Sequence, residues 1–342
     1  NITRFRPQIR SRHPSHAPLR VRGVLTMLPF KSVVRFGSST ELPDTVANGG
    51  NRIELNTVKA ISNSSNKILM KQCFNKLKVK TARWWLYNKG FFLLENNPSK
   101  KMTFDELNYP IIAKHKFGSR GRGNVKINSS DEMQSWLSNC NQIQNFVFEV
   151  YLNFVREYRL HVSEQGCFYT CRKVIKNDVP KDQRWFRNDS NSNWLLETNA
   201  GFDKPVNWEE IEHHCILALR STGLDFGAVD LKVQASYDPN NGKRNKCDFI
   251  VIEINSAPSF GNKTLEEYKK ILPELLKMKK YITLCLVALF ALSSPVLAQG
   301  KLNKLKDKVG EENVKKAEEM AKEKVEEVKE VVEEKATDVV AH

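Results

Sequence analysis

The segment from Cys247 to Ser259 constrains this chain more than any other stretch. Phe249-Ile250-Val251-Ile252 is an unbroken apolar run rich in β-branched residues, the pattern of a strand covered on both faces. Glu253 and Asn255 stand at its end, and Pro258 stops it. With a period of two they share a face with Phe249 and Val251, so an apolar face turns into one of oxygen ligands. A carboxylate beside an amide at a buried strand end suits a hard divalent cation. A capped strand end with a solvated glutamate is the plainer alternative.

Upstream, Gly227–Ala235 alternates cleanly. Val229, Leu231, Val233 and Ala235 point inward, with Asp230, Lys232 and Gln234 on the other face. Asn241-Gly242 between the two strands is a strong short hairpin pattern. A two-residue turn there sets Asp230 directly across from Glu253, whereas a longer loop around Pro239 slips the register. Two carboxylates facing each other across a ladder repel unless a cation lies between them.

The chain has 342 residues and is 40% hydrophobic, enough to bury a core of one large or two ordinary domains. Its formal charge of +15 is unevenly spread. Residues 1–26 hold Arg4, Arg6, Arg10, Arg12, Arg20 and Arg22 with no acid and no apolar periodicity, which predicts a disordered basic leader, read as upstream translated sequence. A basic arm for nucleic acid is the alternative there. Near the other end, Lys277-Met278-Lys279-Lys280 precedes an uncharged run ending Val296-Leu297-Ala298, the pattern of a secretory signal peptide in an internal place. Met278 is then the start of a second reading frame, or 278–298 is a membrane anchor of marginal length. Beyond it, Val314, Ala317, Ala321, Val325, Val328 and Val332 form a small-residue stripe on a charged helix over 299–342. The organisation expected is a 1–26 leader, a reduced segment at 27–66, a main domain at 67–277, and these two distal stretches. Seven cysteines without a CxxC pair imply neither a zinc nor a disulfide framework, and place the core in a reducing, cytoplasmic compartment.

Within the main domain, Ser64-Ser65-Asn66 caps an amphipathic helix over Lys67–Lys76, with Ile68, Leu69, Cys73 and Phe74 as its apolar face. A lysine in a helix's first turn opposes the dipole, so Lys67 serves a bound anion better than the helix. Tyr109–Lys114 and Val125–Ile127 read as strands around a glycine-rich loop holding Gly118, Ser119, Arg120, Gly121 and Gly123. Such a loop lets backbone N–H groups close over phosphates, although no Gly-Lys-Ser/Thr opens a helix here. Lys114 ends a buried strand, as a phosphate ligand or a salt-bridged core lysine. Phe146–Leu152 is another apolar strand. Val155–Val162 alternates Glu157, Arg159 and His161 on one face, and Phe168–Lys176 returns carrying Arg172 and Lys173. Trp185–Trp208 reads as surface loops, Trp208–Thr222 as a helix with Ile211, Cys215, Ile216 and Leu219 inward, and Thr264–Lys277 as a closing helix. His213 and His214 diverge around their helix and read as surface or packing residues.

Taken together, residues from about 55 to 277 resemble the ATP-grasp enzymes, nearest in look to those of tailed bacteriophages and to the ribosomal-protein glutamate ligase group. The resemblance implies an α+β fold of two subdomains with antiparallel sheets that grip ATP between them, after a reduced N-terminal segment. It implies ATP and magnesium, with manganese as a substitute, and a cytoplasmic setting in a bacterium or a phage-infected host. Lys67 and Lys114 match the nucleotide-phosphate lysines, and Glu149, Val150, Tyr151 and Leu152 the hinge that receives adenine. Glu157 matches the ribose carboxylate. Asp230, Glu253 and Asn255 match the metal ligands. Gly118 to Gly123 match the mobile loop, with Arg172, beside Lys173, as a phosphate or acyl-phosphate contact. The implied activity joins a carboxylate to an amine or thiol through an acyl phosphate, on small-molecule or peptide substrates. A nucleotide-binding or phosphotransfer protein without ligation is the alternative. Ala228 stands where D-alanine–D-alanine ligases carry an arginine, which disfavours that substrate. Nucleic acid is not an expected partner, and a membrane is one only if 281–298 is a retained anchor.

Overall fold

The computed structural model describes residues 23–26, 31–41, 53–94, 97–118, 121, 123–188, 190–199, 201–234, 246–259 and 261–292. The chain divides into two compact units, Asn1–Tyr268 and Lys269–His342. In the first, β1 (Gly23–Thr26), β2 (Lys31–Val34) and β3 (Ile53–Leu55) form a small sheet, with β2 and β3 parallel. Two helices follow, α1 (Val58–Ser65) and α2 (Lys67–Lys76). The Asn66 side chain starts α2 by accepting the N–H groups of Ile68 and Leu69, as the Ser-Ser-Asn sequence predicts. The buried face of α2 is Met70, Lys71, Cys73 and Phe74, whereas Leu69 is exposed.

Six strands then make an antiparallel sheet in the order β6-β5-β4-β9-β7-β8. They are β4 (Trp84–Asn88), β5 (Phe91–Leu94), β6 (Asn97–Met102), β7 (Ile111–His115), β8 (Val125–Ile127) and β9 (Phe146–Val150), with α3 (Ser130–Asn139) between β8 and β9. Trp85, Phe92, Ile111, Ala113, Met133 and Phe148 form one core on this sheet. The alternation of β7 leaves Ile112 and Lys114 for its opposite side.

The second large sheet, also antiparallel, has the order β12-β11-β10-β13-β14. It is built from β10 (Arg156–Ser163), β11 (Gly166–Ile175), β12 (Ser192–Leu196), β13 (Phe226–Val233) and β14 (Phe249–Asn255). Helix α4 (Trp208–Thr222) crosses between β12 and β13 and ends at Gly223, whose φ of +77° is the left-handed cap that favours glycine. Tyr158, Leu160, Val229, Leu231 and Val233 join Ile211, Cys215 and Leu219 of α4 in the larger core. The α+β class with two large antiparallel sheets is thus as the resemblance implies.

Three expectations need correction. The Trp-rich segment is not only loop: Ser192–Leu196 pairs with β11 as an edge strand. The closing helix α5 (Asn262–Leu292) does not end at Lys277, because no breaker follows and the Leu- and Ala-rich stretch continues the helix. The third concerns β14, where Asp230 pairs with Glu253 but Leu231 pairs with Val251, so Ile252 is a bulge. The extra residue flips the alternation: Phe249, Val251 and Ile254 enter the core, while Glu253 and Asn255 face the other way with Ile250 and Ile252. The Asn241-Gly242 turn lies outside the described residues, as do the stripe at 314–332 and most of the basic leader. Among the described residues, no helix is long and apolar enough to cross a membrane.

Candidate active site

A cleft of about 480 Å³ runs between the five- and six-stranded sheets. Strand register builds its first wall. On β10, β11 and β13 the residues Glu157, Arg159, Lys173, Asp230 and Lys232 share one face, because Glu157 pairs with both Lys173 and Lys232, and Arg159 with Asp230. Arg159 grips the buried Asp230 with two bonds, Nε to Oδ1 at 2.6 Å and Nη2 to Oδ2 at 2.8 Å. Glu157 lies 3.2 Å from Lys173 and 3.6 Å from Arg187. The Asn255 amide sits 3.3 Å from Asp230 Oδ2 and 3.3 Å from Glu253 Oε1, between the two carboxylates.

Helix α2 and the six-stranded sheet supply the other wall. Lys67 Nζ donates to Glu253 Oε2 at 2.7 Å. Burial pushes the Glu253 carboxyl up, but the Lys67 ammonium, with Lys114 further off, outweighs it and brings the pKa down to about 2. Burial lowers the Lys67 pKa, and Glu253 more than reverses this, so Lys67 stays charged. Lys114 Nζ donates to the buried Glu149 at 2.8 Å, and Lys71 Nζ lies 3.3 Å from the same oxygen, Oε2. Burial raises the Glu149 carboxyl, yet Lys114 and Lys71 hold it below the ordinary range. Ile112, Val150, Tyr151 and Leu152 continue this wall as a mostly apolar surface that suits a planar ring.

The mouth is formed by two loops. Gly118 and Gly121 line it, and Gly121 and Gly123 have φ of +73° and +76°, which only glycine adopts without strain. The loop is anchored where Lys116 accepts the Lys67 N–H at 2.9 Å, which ties it to the start of α2. Opposite, Trp185, Phe186 and Arg187 line the cleft. Lys232 Nζ donates to the Trp185 carbonyl at 2.9 Å, and burial lowers its pKa to about 8. The lining side chains include Lys67, Lys114, Arg159, Lys173, Arg187 and Lys232 against Glu149, Glu157, Asp230 and Glu253, an excess of cations that suits a polyanion.

The structure therefore brings together Lys67, Lys114, Gly118, Gly121, Glu149, Val150, Tyr151, Leu152, Glu157, Lys173, Asp230, Glu253 and Asn255 in one cleft. Ser119 and Arg120 lie outside the described residues. The expectation for Arg172 is not met. It pairs with Tyr158 on the face opposite Lys173, and its guanidinium donates to the carbonyls of Gly201 (2.6 Å) and Phe202 (3.2 Å). Strand alternation allows only one of two adjacent basic residues to reach the cleft, and Lys173 is that one. Glu149 lines the cleft with its carboxylate held by Lys114 and Lys71. Sequence reasoning missed three charged cleft residues, Arg159, Arg187 and Lys232, and the buried Lys71 behind them. Arg159 and Lys232 were visible as face-mates of Glu157 and Asp230, and Lys71 as one turn beyond Lys67. Arg187 has no pattern that marks it.

The Asn255 amide nitrogen donates to both carboxylates and so brackets one small region between Asp230 and Glu253. With that amide turned over, its oxygen would join the two carboxylates in an all-oxygen set that fits magnesium. Two carboxylates and an amide leave positions for phosphate oxygens and water. Among the described residues, no group of three or more His, Cys, Asp or Glu could hold a metal ion.

No family model matches the chain, and no curated protein matches it. Among solved structures, D-alanine–D-alanine ligase from Bacillus anthracis aligns at 14% identity and a TM-score of 0.47, covering 66% of this chain and 72% of that one. N5-carboxyaminoimidazole synthase from Aspergillus clavatus aligns at 15% identity over 60% and 47%, with a TM-score of 0.40. The ATP-grasp ligase PsnB, complexed with a minimal precursor, aligns at 16% over 61% and 57%, also at 0.40.

Proposed function

We propose that this chain is an ATP-grasp ligase that joins a carboxylate to an amine at the expense of ATP. The observation that carries the reading is the convergence of Asp230, Glu253 and Asn255 on one wall with Lys67 and Lys114 on the other, under a glycine-rich loop. Oxygen ligands for a hard cation, lysines for phosphates and a loop of backbone N–H groups are the parts phosphoryl transfer needs.

In this reading Lys67 and Lys114 exchange their carboxylate partners for nucleotide phosphates, so the anions that hold them now are replaced by the substrate's own. Ile112, Val150, Tyr151 and Leu152 enclose the base, and Glu157 accepts from ribose hydroxyls. Asp230, Glu253 and Asn255 would hold magnesium, which when bound neutralises charge on the transferring phosphoryl group. Arg159 fixes the orientation of the Asp230 carboxylate by donating one bond to each of its oxygens. An acid substrate's oxygen attacks the γ-phosphorus, and ADP leaves with the electron pair of the broken P–O bond. The amine then attacks the acyl carbon, phosphate departs, and the nitrogen loses a proton. Catalysis is positioning and charge neutralisation, with the glycine loop keeping water from the acyl phosphate.

The test is ADP release against a panel of acids and amines, with hydroxylamine as a trap. Acid-dependent hydroxamate formation is expected. ATP binding without ADP release or hydroxamate for any acid would instead favour a nucleotide-binding protein without ligase activity.

A further inference from the structure

Two lysines meet one buried carboxylate oxygen at the back of the cleft, and they are not equivalent. Lys114 Nζ is 2.8 Å from Glu149 Oε2, and its side chain is 11% exposed at the cleft surface. Lys71 Nζ is 3.3 Å from the same oxygen, and its side chain exposes nothing. One lysine can reach a ligand, while the other is sealed behind it. Lys71 sits among apolar residues of α2 (Met70, Cys73 and Phe74), where a methionine or leucine would pack without the cost of burying charge.

Its surroundings fix it firmly. The Lys71 ammonium donates to the Thr81 hydroxyl, which donates in turn to the Val251 carbonyl at 2.8 Å. Thr81 also bridges to Val251 in a parallel pairing just ahead of the Ile252 bulge. Lys67, one turn earlier on α2, bonds Glu253 of the same strand. A single helix face thus reaches the metal-ligand strand with Lys67 and the opposite wall with Lys71. Glu149 is approached directly by Lys71 from α2 and Lys114 from β7, with Lys67 and Lys232 acting from further away.

We propose that Lys71 is a positioning residue: it keeps Glu149 neutralised, so that Lys114 can pass from that carboxylate to a bound phosphate. This rests on the nucleotide reading given above. A buried carboxylate with a single cation cannot release it without being left uncompensated, which is strongly unfavourable. With two cations it can give up one. Lys71 therefore sets how readily Lys114 is available, although it touches no ligand itself.

The test is a cycle of four full-length proteins, wild type, Lys71→Met, Glu149→Gln and the double variant, each titrated with Mg-ATP and melted without it. Lys71→Met should weaken Mg-ATP binding on the order of tenfold, because Lys114 is then held by Glu149. Glu149→Gln should bind within about threefold of wild type, and so should the double variant, although Lys71 is still missing. A mere strut role would lower the melting temperature of Lys71→Met and leave the double variant's affinity as poor as the single's. That result, or wild-type affinity in Lys71→Met, overturns the proposal. If Lys71→Met does not fold, the double variant decides: folded with near wild-type affinity supports it, and folded with about tenfold weaker affinity overturns it. A wild type that fails to bind Mg-ATP removes the nucleotide reading itself, and this proposal with it. Binding by the wild type without recovery in the double variant removes the Lys71 role alone.

Discussion

The two walls of the cleft hold their charges in different ways. On the five-stranded wall, acids and cations are ladder neighbours: Glu157 faces Lys173 and Arg159 faces Asp230 at fixed register. Backbone hydrogen bonds set those pairs, and neither partner has to move for the wall to keep its shape. On the six-stranded wall, Glu149 takes one lysine from β7 and a second from α2, so the arrangement depends on helix-to-sheet packing. The first wall is a fixed frame, which in the proposed function holds the metal. The second shares a carboxylate between two cations, the arrangement from which we propose one is released. Bidentate pairing rigidifies, whereas redundancy leaves a cation to spare.

The largest effect should come from breaking the fixed frame. Arg159→Met leaves Asp230 buried with no guanidinium and should cost about 3–5 kcal/mol in urea unfolding. Lys173→Met should cost much less, since Glu157 keeps Arg187 nearby. Equal losses in the two variants would mean that the bidentate pair is not special.

On the other wall the order should reverse between stability and binding. Lys114→Met leaves Glu149 its Lys71 partner, so unfolding should change by only about 1 kcal/mol. Binding of Mg-ATP should fall on the order of tenfold, with a phosphate contact gone. A large loss of stability with unchanged affinity would make Lys114 a core salt-bridge lysine after all.

A third prediction concerns pH. Glu253 titrates near about 2 in the folded chain, below its value of about 4.3 when unfolded. Its contribution is therefore complete above the unfolded value and fades as pH falls toward the folded one. The melting temperature of wild type minus that of Glu253→Gln should be constant from neutral pH to about 5 and shrink between about 4 and 2. A difference that grows on acidification would contradict the Lys67–Glu253 pairing. The smallest effect is reserved for the loop: Gly121→Ala has room beside Phe186 but must adopt φ of +73°. Strain of about 1–2 kcal/mol should loosen that loop and weaken Mg-ATP binding several-fold, with the melting temperature nearly unchanged.

Much of the five-stranded wall was legible because a period of two assigns faces from sequence alone. The inward set of Val229, Leu231 and Val233 follows from it directly, whereas the Asp230–Glu253 pairing was expected from a two-residue turn and is reached through a bulge. The Ile252 bulge was not legible, since nothing in an Ile-Val-Ile run marks which residue leaves the ladder. It both turns Glu253 to the cleft face and brings it opposite Asp230, because the pairs on the turn side of the bulge, Leu231 with Val251 and Lys232 with Ile250, would otherwise set Ile252 there. Arg172 shows the same rule ignored: two adjacent basic residues in a strand cannot both face one cleft. The six-stranded wall resisted because Lys71 and Glu149 are far apart in sequence and meet only through tertiary packing. The edge strand Ser192–Leu196 was hidden by a polar, Asn-rich surround that reads as loop.

The central claim is that Asp230, Glu253 and Asn255 hold magnesium against a nucleotide in this cleft. Calorimetric titration of ATP, with and without magnesium, into wild type and Glu253→Gln tests it most directly. The account predicts saturable binding by wild type that strengthens on the order of tenfold or more when magnesium is present, and a Glu253→Gln variant in which magnesium makes little difference. Magnesium strengthening ATP binding equally in both proteins, or no ATP binding by wild type at all, would contradict it.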